Sequence, residues 1–206
     1  MGVFSLKFDA ITVATAALLL ALVVLGAAMF GSLFENPRVL VKEAPLSKNS
    51  EFRLLPGESY HYIYTANGTE ANMTFAVLEG HGCTRILVVE SRGEAETCLD
   101  AGGNDWTGSN ATFSEPGMLL FKPWMLALHD GWRWNTTMYL DIGGTQEHIA
   151  NVSYRVVRME ELRGREAYIV EVMTEGTEPE YDWVDAEKRV LLKVMGEGYE
   201  VSLSED

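Results

Sequence analysis

The apolar residues of the chain are arranged in two different ways along its length. An unbroken apolar run comes first: Ala10–Phe30 has no charged side chain, and as a helix it would be about 32 Å long at roughly 1.5 Å per residue. That length crosses the hydrocarbon core of a bilayer. We therefore predict a transmembrane helix over residues 10–34, after a cytoplasmic N-terminus at residues 1–9. A cleaved signal peptide is the alternative, because Gly26-Ala27-Ala28 has the small residues that a signal peptidase accepts, but its apolar core would be unusually long.

After this run, apolar and polar residues mostly alternate. Residues 35–50 have two prolines, mixed charge and no sustained period, so we interpret them as a linker. Further on, Tyr60, Tyr62 and Tyr64 alternate with other residues up to a hairpin signal at Asn67-Gly68. A period of two is typical of strands, and roughly eight to ten such segments are joined by short glycine turns. The pattern predicts a mainly β domain over residues 51–206, with a meandering antiparallel sheet that is curled or sandwiched to hide its edges.

One segment departs from this alternation. Residues 117–134 contain four Leu, two Met, one Phe and three Trp. Because Pro123 prevents one continuous helix, we predict a short apolar helical plug against the inner face of the sheet. Its large apolar side chains are candidates for a hydrophobic ligand-binding site, and they are Trp124, Met125, Leu128, Trp132 and Trp134. Ordinary core packing is the alternative interpretation of the same residues.

Asparagines indicate on which side of the membrane this domain lies. Five of them begin an N-x-[ST] sequon, all after residue 66: Asn67, Asn72, Asn110, Asn135 and Asn151. Such sequons are glycosylated outside the cytoplasm, so we predict a glycosylated extracytoplasmic domain. The alternative is that threonine-rich strands and asparagine-rich turns produce sequons by composition.

Two cysteines, Cys83 and Cys98, are the only ones in the chain. In an exported protein such a pair usually forms a disulfide, and closing a loop of about 15 residues stabilises the fold by roughly 3 kcal/mol. A tight turn at Arg92-Gly93 would place Cys98 opposite Leu87, which is too far from Cys83 for a bridge. Either this turn is looser, or the bridge joins strands that are not a simple hairpin.

Charge and motifs limit the possible functions. The formal net charge is −14, and all of it belongs to the part after the apolar run, which disfavours nucleic acid and anionic lipid headgroups as partners. No nucleophile elbow, P-loop, zinc-binding H-E-x-x-H or dinucleotide fingerprint is present. The four histidines are scattered, and the oxygen-rich loop at residues 100–105 has no glutamate at EF-hand spacing. We therefore predict no catalytic residue, no metal site and no cofactor.

The order of these features resembles the lipoprotein-carrier (LolA-like) family. The resemblance depends on four short segments at the level of single hairpins. In chain order they are Pro56-Gly-Glu-Ser-Tyr60, the segment 123–134 with its Pro-Trp and Asp-Gly-Trp-x-Trp motifs, the predicted strand–turn–strand over residues 156–170, and the last element at residues 183–193. It implies an antiparallel sheet curled into an incomplete barrel around short helices, with a concave side that receives acyl chains or another hydrophobic partner. The predicted anchor and sequons depart from the bacterial carriers.

These observations support three functional hypotheses. The first is a single-pass cell-membrane protein whose extracytoplasmic β-domain binds a hydrophobic ligand, a lipid or a lipoprotein-like partner, without catalysis. The second is a structural subunit of a surface or membrane assembly, and the third is an extracytoplasmic enzyme. We expect a ligand binder to have a preformed apolar pocket, and a structural subunit to have a filled core and an exposed apolar patch.

Overall fold

The fold is dominated by one antiparallel sheet. The computed structural model describes residues 38–43, 46–51, 53–91, 93–103, 120–142 and 145–204. Within these residues lie eleven strands: β1 (Arg38–Glu43), β2 (Ser59–Ala66), β3 (Thr69–Leu78), β4 (Thr84–Glu90), β5 (Gly93–Leu99), β6 (Arg133–Ile142), β7 (Thr145–Leu162), β8 (Arg165–Thr174), β9 (Glu180–Asp185), β10 (Leu191–Gly196) and β11 (Tyr199–Leu203). The prediction of a mainly β, antiparallel domain is confirmed.

The sheet is built from two runs of consecutive hairpins. Its spatial order is β1-β6-β7-β8-β9-β10-β11-β2-β3-β4-β5, so strands β6 to β11 form one meander and β2 to β5 another. The two meanders are joined where β11 pairs with β2, with Val201 opposite Tyr64. Strands β1 and β5 stand at the two ends of this order. In the described part of the chain the sheet is therefore open and not closed into a barrel.

The hairpin turns follow the glycine signals of the sequence. Ala66 pairs with Thr69 around Asn67 and Gly68, whose φ angles of 50° and 75° are both positive. Two-residue turns of this kind match the right-handed twist of the flanking strands, and Asn-Gly adopts them readily. The β7–β8 turn has the same form, with Leu162 opposite Arg165.

The predicted linker at residues 35–50 is partly built into the domain. Residues 38–43 form strand β1, which pairs with β6 along its whole length. The backbone N–H groups of Asn49 and Ser50 both donate to the Leu126 carbonyl, at 3.0 and 3.1 Å. The predicted membrane segment, residues 10–34, lies outside the described residues. Among the residues that are described, no helix is long and apolar enough to span a bilayer.

The described part of residues 117–134 does not form the predicted apolar helical plug. In the described chain the segment contains one 3-10 helix of five residues, Pro123–Ala127, whose last four residues are buried. Pro123 begins this helix, and the chain becomes extended at Leu128 and enters β6 at Arg133. Five residues are too few for a stable α-helix, so the segment contributes buried side chains to the core and no helical layer.

Towards the β2–β5 end, the core lies on one face of the sheet. In β2, Tyr60 and Tyr62 are buried and His61 and Ile63 are exposed, as expected for side chains that alternate between two faces. Strand β9 is the exception, because Asp182, Trp183, Val184 and Asp185 are all buried. This strand lies in the middle of the sheet, where both faces are covered by side chains.

The cysteine pair forms a disulfide, with the two Cα atoms 5.7 Å apart. The β4–β5 turn lies one residue earlier than a turn at Arg92-Gly93 would place it, because Glu90 pairs with Gly93. Cys98 is therefore opposite Arg85, only two positions from Cys83. This shift in register removes the geometric difficulty that the sequence pattern raised.

Candidate functional site

Four aromatic side chains meet on the core face of β6 and β7, and we call them the aromatic cluster: Trp124, Trp132, Trp134 and Tyr154. Trp124 comes from the 3-10 helix and stacks on Trp132, with ring centroids 5.8 Å apart and planes at 18°. Trp132 is 6.3 Å from Trp134. Tyr154 lies 5.4 Å from Trp124 and 5.2 Å from Trp134. These distances are in the range at which aromatic pairs attract each other beyond the burial of their area.

Strand register brings the cluster together. Trp134 in β6 is directly opposite Tyr154 in β7, so the two rings share one face of the sheet. Trp132 stands just before β6, and its carbonyl accepts a hydrogen bond from the Val156 N–H at 3.0 Å. The three tryptophans were predicted from the sequence. Tyr154 was not predicted as a site residue, although its place among the alternating apolar residues of β7 is a signal that could have assigned it to the core face.

The indole N–H of Trp124 is a buried donor without a partner among the residues that the structure describes. Trp124 is 5% exposed, and its Nε1 atom has no hydrogen-bond acceptor among the described residues. Buried donors are usually paired, and leaving one unpaired costs roughly 1–3 kcal/mol. Trp183 gives the contrast: it is 8% exposed, and its Nε1 donates to Glu160 Oε1 at 2.6 Å.

Met125 and Leu128, the other two predicted ligand-binding residues, are also fully buried in the same core. The Met125 sulfur accepts a hydrogen bond from the Lys122 N–H at 3.4 Å. The Leu128 carbonyl accepts from Asn49 Nδ2 at 3.3 Å and from the Arg189 guanidinium at 3.2 Å. The structure therefore places all five predicted residues in one apolar region, and their ligand-binding role stays a prediction.

Three surface clefts are lined by other residues. The first, with a volume of about 340 Å³, we call the arginine cleft; its lining is Ser59, Tyr60, Leu162, Arg163, Arg165, Leu192, Leu203 and Ser204. The second, of about 520 Å³, lies over β6, β7 and the end of β8 and includes Asn135 and Asn151. The third, of about 500 Å³, lies between the β7–β8 and β9–β10 turns. None of these three contains a member of the aromatic cluster.

A polar network ties the loop before β2 to the β9–β10 turn. Glu58 forms an ion pair with Lys188 and accepts hydrogen bonds from the Leu55 N–H at 2.9 Å and the Tyr60 hydroxyl at 2.8 Å. Burial acts to raise the pKa of Glu58, but these donors, led by Lys188, outweigh it and hold the pKa below its usual value. All partners stabilise the ionised carboxylate, so the network is suited to holding the loop and not to proton transfer.

A second carboxylate, Glu171 on β8, is held by partners from the two neighbouring strands. Glu171 is 8% exposed, and it forms a salt bridge with Arg155 at 2.5 Å and accepts a hydrogen bond from the Tyr181 hydroxyl at 3.3 Å. The hydrogen bond from Arg155 is the main cause that lowers the pKa of Glu171, against the opposing effect of burial.

The sequon asparagines that the structure describes are all exposed. Asn67 is in the β2–β3 turn, and Asn72, Asn135 and Asn151 are in strands. Each of the three strand residues neighbours side chains that point to the core, so all three lie on the opposite, solvent-facing side of the sheet. Asn110 lies outside the described residues. No group of three His, Cys, Asp or Glu side chains in the described ranges could hold a metal ion.

Comparisons with known proteins give limited guidance. No protein-family model matches the chain, and no curated protein matches it. Among solved structures, the chain has a likeness to a protein from Bacteroides fragilis, described as exported and as having a YmcC-like fold, with a TM-score of 0.32 and 15% identity over 75% of this chain and 97% of that one. A DUF1329 family protein from Desulfovibrio piger gives a TM-score of 0.23 and 11% identity over 73% of this chain and 85% of that one. TM-scores this low do not establish a shared fold, so the resemblance to LolA-like carriers stays a prediction.

Proposed function

We propose that this protein is a membrane-anchored extracytoplasmic β-domain that binds a hydrophobic ligand, a lipid or a lipoprotein-like partner at the aromatic cluster. The observation that carries the proposal is the buried Trp124 indole N–H, which lies among apolar rings and has no acceptor in the part of the chain that the structure describes. A ligand with an apolar chain and an ester or amide carbonyl would cover the rings and accept this hydrogen bond. No catalytic step is part of the proposal.

Entry of such a ligand requires a ring to move, because the three tryptophans are only 5–7% exposed. The 3-10 helix is the element best suited to move. Two backbone hydrogen bonds close its turn, from Met125 to Lys122 at 2.9 Å and from Leu128 to Met125 at 3.4 Å, and residues 49 and 50 donate to its Leu126 carbonyl. Trp134 and Tyr154 are instead fixed within strands that are paired along most of their length. We therefore expect Trp124 to swing away from the ring of Trp132 and the ligand to take its place.

The proposed location depends on two features. The Cys83–Cys98 disulfide fits an oxidising compartment, and the described sequon asparagines are accessible to a glycosylation enzyme. Anchoring by residues 10–34 is the part of the proposal that depends on the sequence alone. Protease protection of the full chain in sealed vesicles would test the orientation, and a mass shift on enzymatic deglycosylation would test whether the sequons are occupied.

The ligand is tested on the full chain, purified in a nonionic detergent from a host with a matching secretion route. Native mass spectrometry followed by organic extraction identifies any co-purifying species of lipid mass. We expect such a species in the wild type and in Trp183→Phe, and roughly five- to tenfold less of it in Trp124→Phe, because that variant keeps an aromatic ring but loses one hydrogen-bond donor worth about 1 kcal/mol. A clean protein mass in the wild type, or equal retention in both variants, would contradict the proposal.

A structural subunit is the second candidate, favoured by two observations. The aromatic cluster is tightly covered, as in an ordinary core. Large apolar side chains are also exposed on the solvent-facing side of the sheet, at Ile63, Met173 and Met195, each 36–42% exposed. A clean protein mass, together with a stable assembly of several chains in light scattering of the detergent-solubilised protein, would favour this function over ligand binding.

A further inference from the structure

Two of the predicted glycosylation sequons face each other across strands β6 and β7. Asn135 is directly opposite Ser153, the last residue of the Asn151 sequon. Thr137, the last residue of the Asn135 sequon, is directly opposite Asn151. Residues at such diagonal positions are roughly 7–8 Å apart, so the two asparagines are near neighbours on one side of the sheet. Because a glycan is bulky, glycans on both would compete for the same space.

The cleft of about 520 Å³ over β6, β7 and the end of β8 lies at this pair of sequons, and we call it the sequon cleft. Its volume falls within the roughly 300–1,000 Å³ that is common for small-molecule sites. Its lining combines hydroxyl groups, a carboxylate and one large apolar side chain, which come from Thr137, Ser153, Thr177, Glu175 and Met173. The polar groups can hydrogen-bond to the hydroxyl groups of a sugar, and a methionine side chain can pack against the C–H groups of a sugar ring. The lining therefore matches a carbohydrate.

Asn151 is built into the wall of the sequon cleft. Its amide nitrogen, the atom to which a glycan would be attached, donates to Glu175 Oε2 at 2.9 Å. Its amide oxygen accepts a hydrogen bond from the Thr137 hydroxyl at 3.2 Å. The backbone is joined at the same place, because the Glu175 N–H donates to the Asn151 carbonyl at 2.9 Å and the Asn151 N–H donates to Glu175 Oε2 at 3.3 Å. A sugar on this nitrogen would replace one of its hydrogens and crowd the carboxylate that lies against it.

Asn135 is placed differently at the same cleft. It is exposed, and it begins a row of cross-strand neighbours that continues with Ser153 on β7 and Met173 on β8. All three residues line the sequon cleft. A sugar attached to the Asn135 amide nitrogen would therefore start at one edge of the cleft and extend over the serine hydroxyl and the methionine side chain, without displacing the bonds between Asn151 and Glu175.

We propose that Asn135 carries a glycan whose innermost sugar occupies the sequon cleft, and that Asn151 is part of the cleft wall and not a second glycosylation site. In the modification, Asn135 Nδ2 bonds to the anomeric carbon of a lipid-linked sugar phosphate, the bond from that carbon to the phosphate oxygen breaks, and the amide loses one proton. A separate transferase catalyses this step. The inference rests on the extracytoplasmic location in the proposed function, but not on ligand binding at the aromatic cluster.

Glycopeptide mass spectrometry tests which asparagine is modified. The full chain is purified in a nonionic detergent from a host with a matching secretion route and an N-glycosylation pathway. Trypsin cleaves after Arg133 and Arg155 and has no site between them, so one peptide of residues 134–155 carries both asparagines. This peptide shows directly whether a single chain has one glycan or two. We expect one glycan, located on Asn135, and an unmodified Asn151.

Thermal unfolding followed by circular dichroism tests whether the sugar lies in the cleft. Asn135→Gln removes the sequon, and we expect it to lower the unfolding midpoint by about 2–4 °C, the size of shift that the loss of a few weak contacts gives in a chain of this length. Asn72→Gln is the control, because Asn72 begins an exposed sequon on β3 that does not line the cleft. Its midpoint should stay within 1 °C or so of the wild type, about the shift of a neutral surface change.

A pair of methionines locates the sugar more closely. Met173 and Met195 are 40% and 42% exposed, but only Met173 lines the sequon cleft. Met173→Ala should lower the midpoint more in the wild type than in the Asn135→Gln background, because the methionine packs against the sugar only when the glycan is present. Met195→Ala should have the same effect in both backgrounds.

Four results would overturn the inference: an unmodified Asn135, two glycans on one 134–155 peptide, an unchanged midpoint in Asn135→Gln, or the same effect of Met173→Ala with and without the glycan. If Asn135→Gln does not fold, unglycosylated wild type from a host strain without the transferase replaces it. A glycan on Asn72 with an unmodified Asn135 contradicts this inference and leaves the extracytoplasmic location standing. Co-purifying lipid concerns the aromatic cluster alone, so the two proposals can fail separately.

Discussion

Trp124 and Trp183 are buried to a similar extent, 5% and 8% exposed, but within the described ranges only the indole N–H of Trp183 has an acceptor, Glu160 Oε1 at 2.6 Å. The pair therefore isolates the energetic effect of one buried donor. The perturbation is Trp→Phe at each position, which removes the N–H and part of the ring and keeps an aromatic side chain. We predict that Trp183→Phe destabilises the protein clearly more than Trp124→Phe does.

The magnitude follows from the two environments. The smaller ring costs roughly 1–3 kcal/mol at a buried position, and this cost is similar at both sites and cancels in the comparison. Trp183→Phe also loses a hydrogen bond to a carboxylate, for which we take about 1–1.5 kcal/mol, because the Glu160 side chain is 34% exposed and regains water. Trp124→Phe removes an unsatisfied donor and so recovers roughly 1–3 kcal/mol. The expected difference between the variants is about 2–4.5 kcal/mol.

Urea unfolding of the full chain in a nonionic detergent, followed by circular dichroism, measures both variants without relying on tryptophan emission. The double variant should show the sum of the two losses, because the residues have no described partner in common. Equal losses of stability, or a larger loss in Trp124→Phe, would contradict this prediction. Such a result would mean that the Trp124 N–H is already satisfied, for example by a buried water, and would remove the observation that carries the proposed function.

Three further predictions concern stability. The pKa of Glu171 in the folded protein is lowered from 4.5, so this carboxylate stabilises the fold above pH 4.5, and the stabilisation is lost as the pH falls through the folded pKa. Glu171→Gln should therefore weaken the loss of stability in acid; if urea unfolding gives parallel plots of stability against pH for the variant and the wild type, the prediction is wrong. Replacing Cys83 and Cys98 by serine should cost about 3 kcal/mol, and dithiothreitol should destabilise the wild type but leave the variant unchanged. Gly196→Ala should lower the stability by about 1–3 kcal/mol, because the new Cβ overlaps the ring of Tyr199. A double variant with Tyr199→Leu should regain part of this stability, and if it does not, the overlap is not the cause.

Hairpin turns and strand periods were predictable because they depend on local preferences. Asn67-Gly68 and Arg163-Gly164 form the expected two-residue turns, and the alternating tyrosines of β2 bury the expected face. Strand β1 was missed. Its residues 38–43 are in a segment with prolines and mixed charge, and they become a strand because β6 offers hydrogen bonds along its edge, which no local pattern reveals.

Composition, period and turn chemistry act over a few neighbouring residues, so the fold class, the apolar character of residues 117–134, the cysteine pair and the positions of the sequons could be predicted without the structure. Tertiary structure alone decided that β11 pairs with β2, that Tyr154 joins the three tryptophans, and that Arg163 reaches the Leu203 carbonyl 40 residues away. These contacts depend on strand order and on register, including the irregularity between Met138 and Tyr139. A shift of one residue in a strand moves every side chain to the other face, so the candidate sites exist only once the whole sheet is assembled.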